Sequence, residues 1–93
     1  LRRIVPGGAR SECRDATGTV QLLEVHPHLD WYGRPISELE AATHARVAFL
    51  TRLGEGLIPE PHTVLQDGDL IHMTIRDDAM AAAETTLTQG PGA

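Results

Sequence analysis

Two prolines, one residue apart, interrupt the chain between two apolar segments and restrict the folds that it can adopt. Pro59 and Pro61 lack a backbone N–H and have a fixed φ, so neither fits within a central strand of a sheet. Gly68 and Asp69 then supply a tight turn, and an alternating apolar segment, residues 70–75, follows directly. The sequence therefore predicts that the chain leaves a sheet at the prolines and returns to it as a new strand.

Four segments are predicted to be strands of a single sheet. Their apolar residues are β-branched or alternate with polar residues, and turn residues bound them. They are Val20–Val25, Arg46–Arg52, residues 57–58 and residues 70–75. Residues 53–56, with the sequence Leu-Gly-Glu-Gly, are predicted to be the hairpin turn between the second and third strands.

Two short helices are predicted beside this sheet. The first begins at Pro35, because proline in the first turn of a helix costs no hydrogen bond, and Asp77 or Asp78 is expected to cap the second. Ile36, Leu39 and Thr43 are expected to share one face of the first helix, at spacings of three and four. Met80, Ala83 and Leu87 are expected to form the apolar stripe of the second helix. The predicted fold class is therefore α+β, in the order β-α-β-β-β-α, with helices able to cover one sheet face.

Aromatic residues are scarce, which limits the kind of core that the chain can form. Trp31, Tyr32 and Phe49 are the three aromatic residues, and the first two fall in a polar loop where they are expected to be exposed. The core is therefore predicted to consist of Leu, Ile, Val and Ala side chains.

The chain has the length of one domain, with 93 residues. Residues 1–18 show no apolar period and contain Pro6-Gly7-Gly8, so they are predicted to be a linker. Because Leu1 is not a methionine, we expect this chain to be a piece of a longer protein, with the linker following a further domain. Residues 19–88 are predicted to be the folded domain and residues 89–93 a flexible tail.

Composition excludes several functional classes. The net charge is −5, with 13 acidic residues against 8 basic ones, which disfavours binding to nucleic acid. No apolar run approaches the roughly 20 residues of a membrane-spanning helix. A single cysteine, Cys13, allows no internal disulfide and is typical of a reducing compartment, so a cytoplasmic location is expected.

Three segments carry a resemblance to a known family. They are Gly33-Arg34-Pro35-Ile36-Ser37-Glu38-Leu39, then Ala45-Arg46-Val47-Ala48-Phe49-Leu50-Thr51-Arg52, and finally Pro59-x-Pro61-x-Thr63-x-Leu65-x-x-Gly68-Asp69 followed by an apolar strand. Together, and in this order, they resemble the RCK C-terminal domain, also called the TrkA C-terminal domain, over about residues 20–87. Each segment also has a structural explanation in turn formation, helix initiation or core packing.

The resemblance implies a regulatory role. In the family this domain follows a nucleotide-binding Rossmann domain and forms dimers, and complete subunits assemble as a ring beneath a membrane potassium transporter. It therefore implies a ligand-sensing and dimerising domain of a TrkA-type potassium uptake system, which gates the transporter from the cytoplasmic face of the membrane. The alternative is the same module on another cation or anion transporter, or on a transcription regulator.

The resemblance also implies where cofactors belong. NAD or an ATP-type nucleotide would bind the preceding Rossmann domain. This chain has no G-x-G-x-x-G motif, so no cofactor is predicted for it. The predicted partners are a second copy of the chain, the transporter subunit and a small anionic ligand.

The candidate ligand site lies where the loop before the first helix meets the start of the second strand. Arg34 and Arg46 can donate charge-assisted hydrogen bonds to a phosphate or carboxylate, and the first-turn amides around Ile36 and Ser37 favour negative charge. Val47 completes the predicted set. The alternative is that both arginines are ordinary solvated surface residues.

Some family members bind cyclic di-AMP in this region, through an arginine after the first helix and an asparagine that opens the second strand. Here residues 40–45 contain no arginine, and Arg46 stands where the asparagine is expected. The sequence therefore assigns no particular ligand.

Metal and catalytic sites are not predicted. His26, His28 and Asp30 alternate along the chain and could share one side of it, but Pro27 bends the segment and no fourth ligand is spaced for zinc. A metal-binding domain is thus the least favoured alternative. No nucleophile is placed beside a base, so the chain is predicted not to be an enzyme.

Dimerisation is also predicted from the strand pattern. Leu70 alternates with Ile71, and Leu50 alternates with Phe49, so both strands have apolar residues on both faces. A single chain would leave the two leucines in water, whereas a two-fold interface would bury them.

Overall fold

In the part of the chain that the structure describes, six strands form one antiparallel sheet in the order β1-β2-β3-β6-β4-β5. The computed structural model describes residues 3–4 and 10–91, with side chains from residue 14 onward. The strands are Arg3–Ile4 (β1), Arg10–Arg14 (β2), Val20–Val25 (β3), Arg46–Arg52 (β4), Glu55–Leu57 (β5) and Leu70–Arg76 (β6). The helices are Ile36–Thr43 (α1) and Met80–Gln89 (α2), with single 3₁₀ turns at Leu29–Trp31 and Asp77–Ala79.

The predicted α+β class and the order β-α-β-β-β-α are confirmed for the elements from β3 to α2. β6 lies between β3 and β4. Residues 59–69, which we call the excursion, leave the sheet after the β4–β5 hairpin and return the chain to the centre of the sheet at β6. Both predicted helix faces are buried. They pack with the inward side chains of β3, β4 and β6 to form a single core on one face of the sheet.

The hairpin turn between β4 and β5 is shorter than predicted. Leu53 and Gly54 have φ values of 53° and 80°, so they form a two-residue turn with left-handed backbone at both positions. The return strand therefore starts at Glu55 rather than at residue 57. The prediction was wrong by two residues because Gly56, interpreted as part of the turn, pairs with Thr51.

The second half of the predicted linker is part of the sheet. β2 pairs with β3 from Arg10–Glu24 to Arg14–Gln21, with an irregularity between Ser11 and Cys13. The connecting turn is organised by Asp15, whose carboxylate accepts hydrogen bonds from the Thr17 hydroxyl and the Val20 amide; these bonds lower the pKa of Asp15 to about 2. The pairing of β2 with β1 and β3 uses backbone groups, which its polar residues supply as well as any others, so its sequence gave no periodic signal.

The sheet and α2 extend into the segments predicted to be the linker and the tail. The division into a linker of residues 1–18 and a domain of residues 19–88 stays a prediction, although the fold itself extends to β1 and β2. Pro6-Gly7-Gly8 lies outside the described residues. At the other end, Gln89 is the last residue of α2, and Gly90 is buried beside His28 and Asp30. The first residues of the predicted flexible tail are therefore held in place.

Trp31 is a core residue, and the prediction that it is exposed was wrong. The 3₁₀ turn directs its indole inward, leaving 1% of the residue exposed, and its Nε1 donates to the Thr86 carbonyl at 3.3 Å. Tyr32 is only partly exposed and packs against the core. A loop with polar neighbours therefore contains the largest buried side chain of the domain.

A bulge in β4 explains a second difference. The pairing of β4 with β6 shifts between Val47 and Phe49, so Ala48 is an extra residue. Val47 and Leu50 consequently both face the helices, and Leu50 is fully buried within its own chain. The expectation that Leu50 would face water in a single chain was therefore wrong, whereas Leu70 is partly exposed on the other face.

The expected cap of the second helix was also wrong. α2 follows a 3₁₀ turn and has no side-chain cap. Asp77 instead accepts hydrogen bonds from Arg14 and Gln21, and Asp78 pairs with Arg76. Asp77 thus connects the end of β6 with β2 and β3, and neither aspartate caps the helix.

Replacement of Trp31 by alanine is expected to lower the free energy of unfolding by about 3–5 kcal/mol, because it removes the largest buried side chain and leaves a cavity. Leu29→Ala in the same turn is the matched control, since Leu29 is 67% exposed and should change stability by less than about 0.5 kcal/mol. Urea unfolding of both variants measures the difference. Equal effects would contradict the core position of Trp31.

Candidate functional site

The first turn of α1 is held by the excursion that begins at Pro59. The amide of Ile36 donates to the carbonyl of Thr63 at 2.8 Å, and the amide of Ser37 donates to the carbonyl of Pro61 at 3.0 Å. Thr63 is itself held in place, because its hydroxyl accepts a hydrogen bond from the Glu60 amide at 2.9 Å. The excursion and the helix therefore form one rigid unit.

The same excursion pairs with the chain just before the helix. The Gly33 amide donates to the Leu65 carbonyl at 2.8 Å, and the Leu65 amide donates to the Arg34 carbonyl at 2.9 Å. Pro35 and Val64 form an isolated antiparallel β-bridge. Leu65 is 1% exposed and is part of the core. Gly33 has a φ of 90°, a conformation that favours glycine.

A buried ion pair closes the far end of the excursion. Asp69 is fully buried and accepts two hydrogen bonds from Arg52, at 2.9 Å from Nε and 2.8 Å from Nη2. It also accepts from the Gln66 amide, while Arg52 donates to the Val64 carbonyl. Burial raises the pKa of Asp69, but the bonds from Arg52 and Gln66 outweigh it, so this pKa lies below its ordinary value.

Two adjoining cavities lie beside this unit, between α1 and the start of β4, and we call them together the α1–β4 cleft. One has a volume of about 470 Å³ and the other about 200 Å³. Glu40 and Arg46 line both. The remaining lining residues are Ser37, Ala41, His44 and Ala45 in the larger cavity and Ile36, Val47, Pro59, Glu60 and Pro61 in the smaller one.

Four of the five predicted site residues line this cleft. Ile36 and Val47 are buried in its floor, whereas Ser37 and Arg46 are exposed. Arg34 lines a neighbouring cavity of about 360 Å³ with Trp31 and Pro91, and it pairs with Glu38 at 3.2 Å. The structure thus brings Arg46 to the cleft and directs Arg34 to a different partner.

The predicted backbone donors are already occupied. The amides of Ile36, Ser37 and Glu38 all donate to backbone carbonyls of the same chain. The prediction that the first turn of α1 offers free N–H groups to an anion was therefore wrong. The sequence shows the proline pattern but cannot show that the carbonyls beyond it turn back onto the helix.

Glu40 is the cleft residue that the sequence analysis missed. Its Oε2 accepts a hydrogen bond from the Val47 amide at 2.9 Å, across the turn between α1 and β4. His44 makes that turn possible with a φ of 56°, and its amide closes the helix on the Glu40 carbonyl. In the sequence Glu40 is one acidic residue among many, and no spacing separates it from solvated surface.

The histidines of the metal alternative have other partners. His26 Nδ1 lies 3.1 Å from the Asp69 carbonyl, and His28 Nδ1 accepts from the Asp30 amide at 3.1 Å. Among residues 3–4 and 10–91 no group of three His, Cys, Asp or Glu side chains is arranged to hold a metal ion. The two helices described, of 8 and 10 residues, are also too short to cross a membrane.

Residues 20–88 match the sequence profile of the TrkA-C domain. The chain belongs to this family. It is also 50% identical, over 91 residues, to the Trk system potassium uptake protein TrkA of Streptomyces coelicolor. That alignment covers 98% of this chain and 41% of the relative, so the chain spans about two fifths of the length of the protein it matches.

Solved structures share the fold of the domain. A structure of the GsuK channel matches 86% of this chain and 15% of its own, with a TM-score of 0.69 and 23% identity. The crystal structure of the GsuK RCK domain matches 86% of this chain and 19% of its own, with a TM-score of 0.66 and 23% identity. At this identity the likeness concerns the fold, and it confirms the predicted RCK C-terminal architecture.

Asp69→Asn is expected to lower the free energy of unfolding by about 2–4 kcal/mol at neutral pH, because it leaves Arg52 without its buried counter-charge. Since the pKa of Asp69 is lowered by folding, its contribution is complete above the unfolded pKa, about 3.9, and is lost as pH falls through the folded value. Urea unfolding between neutral and strongly acidic pH should show the two proteins converging in acid.

Asp67→Asn is the control for this measurement, because Asp67 is exposed in the same turn. It should change stability by less than about 0.5 kcal/mol at every pH. A difference between wild type and Asp69→Asn that does not shrink in acid would contradict the ion-pair assignment.

Proposed function

We propose that the chain is a regulatory domain of a Trk-type potassium uptake system. The observation that supports this most is the 50% identity to a TrkA potassium uptake protein over nearly the whole chain. The family match over residues 20–88 supports the same assignment. The domain acts within a longer protein, at the cytoplasmic face of the membrane, where that protein contacts a potassium transporter and gates it. TrkA-C is not an enzyme family, in keeping with the prediction that the chain is not an enzyme.

Ligand sensing is the second part of the proposal. The α1–β4 cleft is built on a rigid support, because the excursion fixes the first turn of α1 and the Arg52–Asp69 pair fixes the excursion. Its floor is apolar and its rim has exposed charged groups, a combination typical of small-molecule sites. Arg46, Ser37, Ile36 and Val47 contact the ligand, whereas Arg34 contributes from the adjoining cavity.

Homodimerisation is the third part. The sheet face opposite the helices has partly exposed apolar side chains from three strands, including Leu22, Phe49 and Leu70. Phe49 stacks on His72 with ring centroids 4.0 Å apart. Beside them lies an open apolar depression of about 390 Å³ that Val20 and Leu22 line. A two-fold partner covers the same patch on each copy, which removes this surface from water.

The potassium-uptake assignment is tested by a chimera in which this chain replaces the matching segment of the Streptomyces coelicolor TrkA. Because the two segments are 50% identical, the chimera is expected to keep regulated potassium uptake. The measurement is the rate of potassium uptake by potassium-depleted cells that express the chimera. The same chimera with Trp31→Ala is the control for a folded domain. A well-expressed chimera without regulated potassium uptake would contradict the assignment.

The dimer is tested by sedimentation equilibrium at micromolar concentration. We expect twice the chain mass of 10.1 kDa. Leu22→Asp should return the mass to that of one chain, because it places a charge in the centre of the apolar face, whereas Leu29→Asp on the exposed 3₁₀ turn should not. Circular dichroism confirms that both variants are folded. A single-chain mass for the wild type contradicts the dimer.

A further inference from the structure

The α1–β4 cleft has charges of both signs on an apolar floor. We infer that its ligand is a small zwitterion, a molecule with one cationic and one anionic group on a short aliphatic body. This inference rests on the proposed ligand-sensing role and replaces the anionic class that the sequence suggested. It follows from the contacts of three groups: the amides of the first turn of α1, Glu40 and Arg46.

A phosphate or a dicarboxylate finds few donors in the cleft. The three first-turn amides of α1 already donate to carbonyls, and the Val47 amide donates to Glu40. Glu40 lines both cavities, and Glu60 lines the smaller one, so an anion approaching Arg46 meets two carboxylates. The hydrogen-bond donors and the net charge both disfavour a purely anionic ligand.

Glu40 supplies the site for the cationic end. One of its oxygens accepts the Val47 amide, which fixes the carboxylate against the turn, and the carboxylate keeps further acceptor capacity toward the cleft. An ammonium group donates to such a fixed carboxylate by a charge-assisted hydrogen bond. Because the carboxylate is positioned before binding, little side-chain entropy is lost when the ligand arrives.

Arg46 supplies the site for the anionic end. It opens β4, it is exposed, and its guanidinium makes no ion pair or hydrogen bond with the part of the chain that the structure describes. A ligand with only a cationic group would leave this guanidinium unmatched and close to a like charge. A zwitterion satisfies Arg46 and Glu40 together, and its aliphatic body lies on Ala41, Ala45 and Val47.

The test uses a series of ω-amino acids of increasing length, glycine, 4-aminobutanoate and 6-aminohexanoate, added to the ¹⁵N-labelled 93-residue chain. Hexanoate and hexylamine, which lack one charge each, and inorganic phosphate are the matched probes. For ligands of this size we expect dissociation constants on the order of 1 mM for the best zwitterion, read from saturable shifts of the Val47 and Ala45 amides. The singly charged probes and phosphate should bind at least about tenfold more weakly.

Two variants assign the two ends. Glu40→Gln keeps an acceptor for the Val47 amide but removes the charge, so it should weaken zwitterion binding about tenfold and strengthen binding of hexanoate. Arg46→Gln should weaken zwitterion binding about tenfold and strengthen binding of hexylamine. Arg76→Gln, on an arginine that is already paired with Asp78 and that lines neither cavity of the cleft, is the control and should change neither.

The outcomes separate this inference from the proposed function. Saturable binding of phosphate or hexanoate at the cleft amides, with none for the zwitterions, overturns the ligand class while leaving a ligand site in place. If none of the probes produces a saturable shift, the inference is overturned outright. The result of the potassium-uptake chimera does not depend on this outcome. Zwitterion binding that survives both Glu40→Gln and Arg46→Gln overturns the assignment of the two ends.

Discussion

The carboxylate of Asp69 is fully buried, and the arrangement around it determines the position of the candidate site. Its two hydrogen bonds from Arg52 connect the end of β4 with the start of β6, and a third bond from Arg52 reaches the Val64 carbonyl in the excursion between them. The excursion in turn supplies the carbonyls that receive the first amides of α1. The Arg52–Asp69 pair therefore helps to position α1 through the excursion, and the cleft lies along that helix.

Much of the fold could be predicted because backbone constraints have clear sequence signals. Pro59, Pro61 and Gly68 each restrict φ or hydrogen bonding, and the structure places them in the excursion and at a turn with a φ of 91° for Gly68. β2 gave no such signal, since its pairing with β1 and β3 uses backbone groups that polar residues supply as well as any others. Trp31 was misassigned because the 3₁₀ turn that directs it inward depends on contacts with α2, far along the chain.

The sequence predicted where the candidate site lies but not which charges its ligand has. Arg46, Ile36 and Val47 follow from the elements that contain them, so their proximity could be inferred from the order of helix and strand. Occupation of the α1 amides depends on residues about 25 positions away, and the role of Glu40 depends on the left-handed turn at His44. Long-range partners of this kind leave no periodic signal, and they decide which charge the cleft accepts.

The pairing of β2 with β3 has a mechanical consequence. Four residue pairs join the two strands, and β3 is joined in turn to the central strand β6 by six more. A force on residue 10 therefore acts on several paired residues of β2 and β3 at once. A displacement of Arg10 is therefore opposed by backbone pairing that continues through β3 to the centre of the sheet.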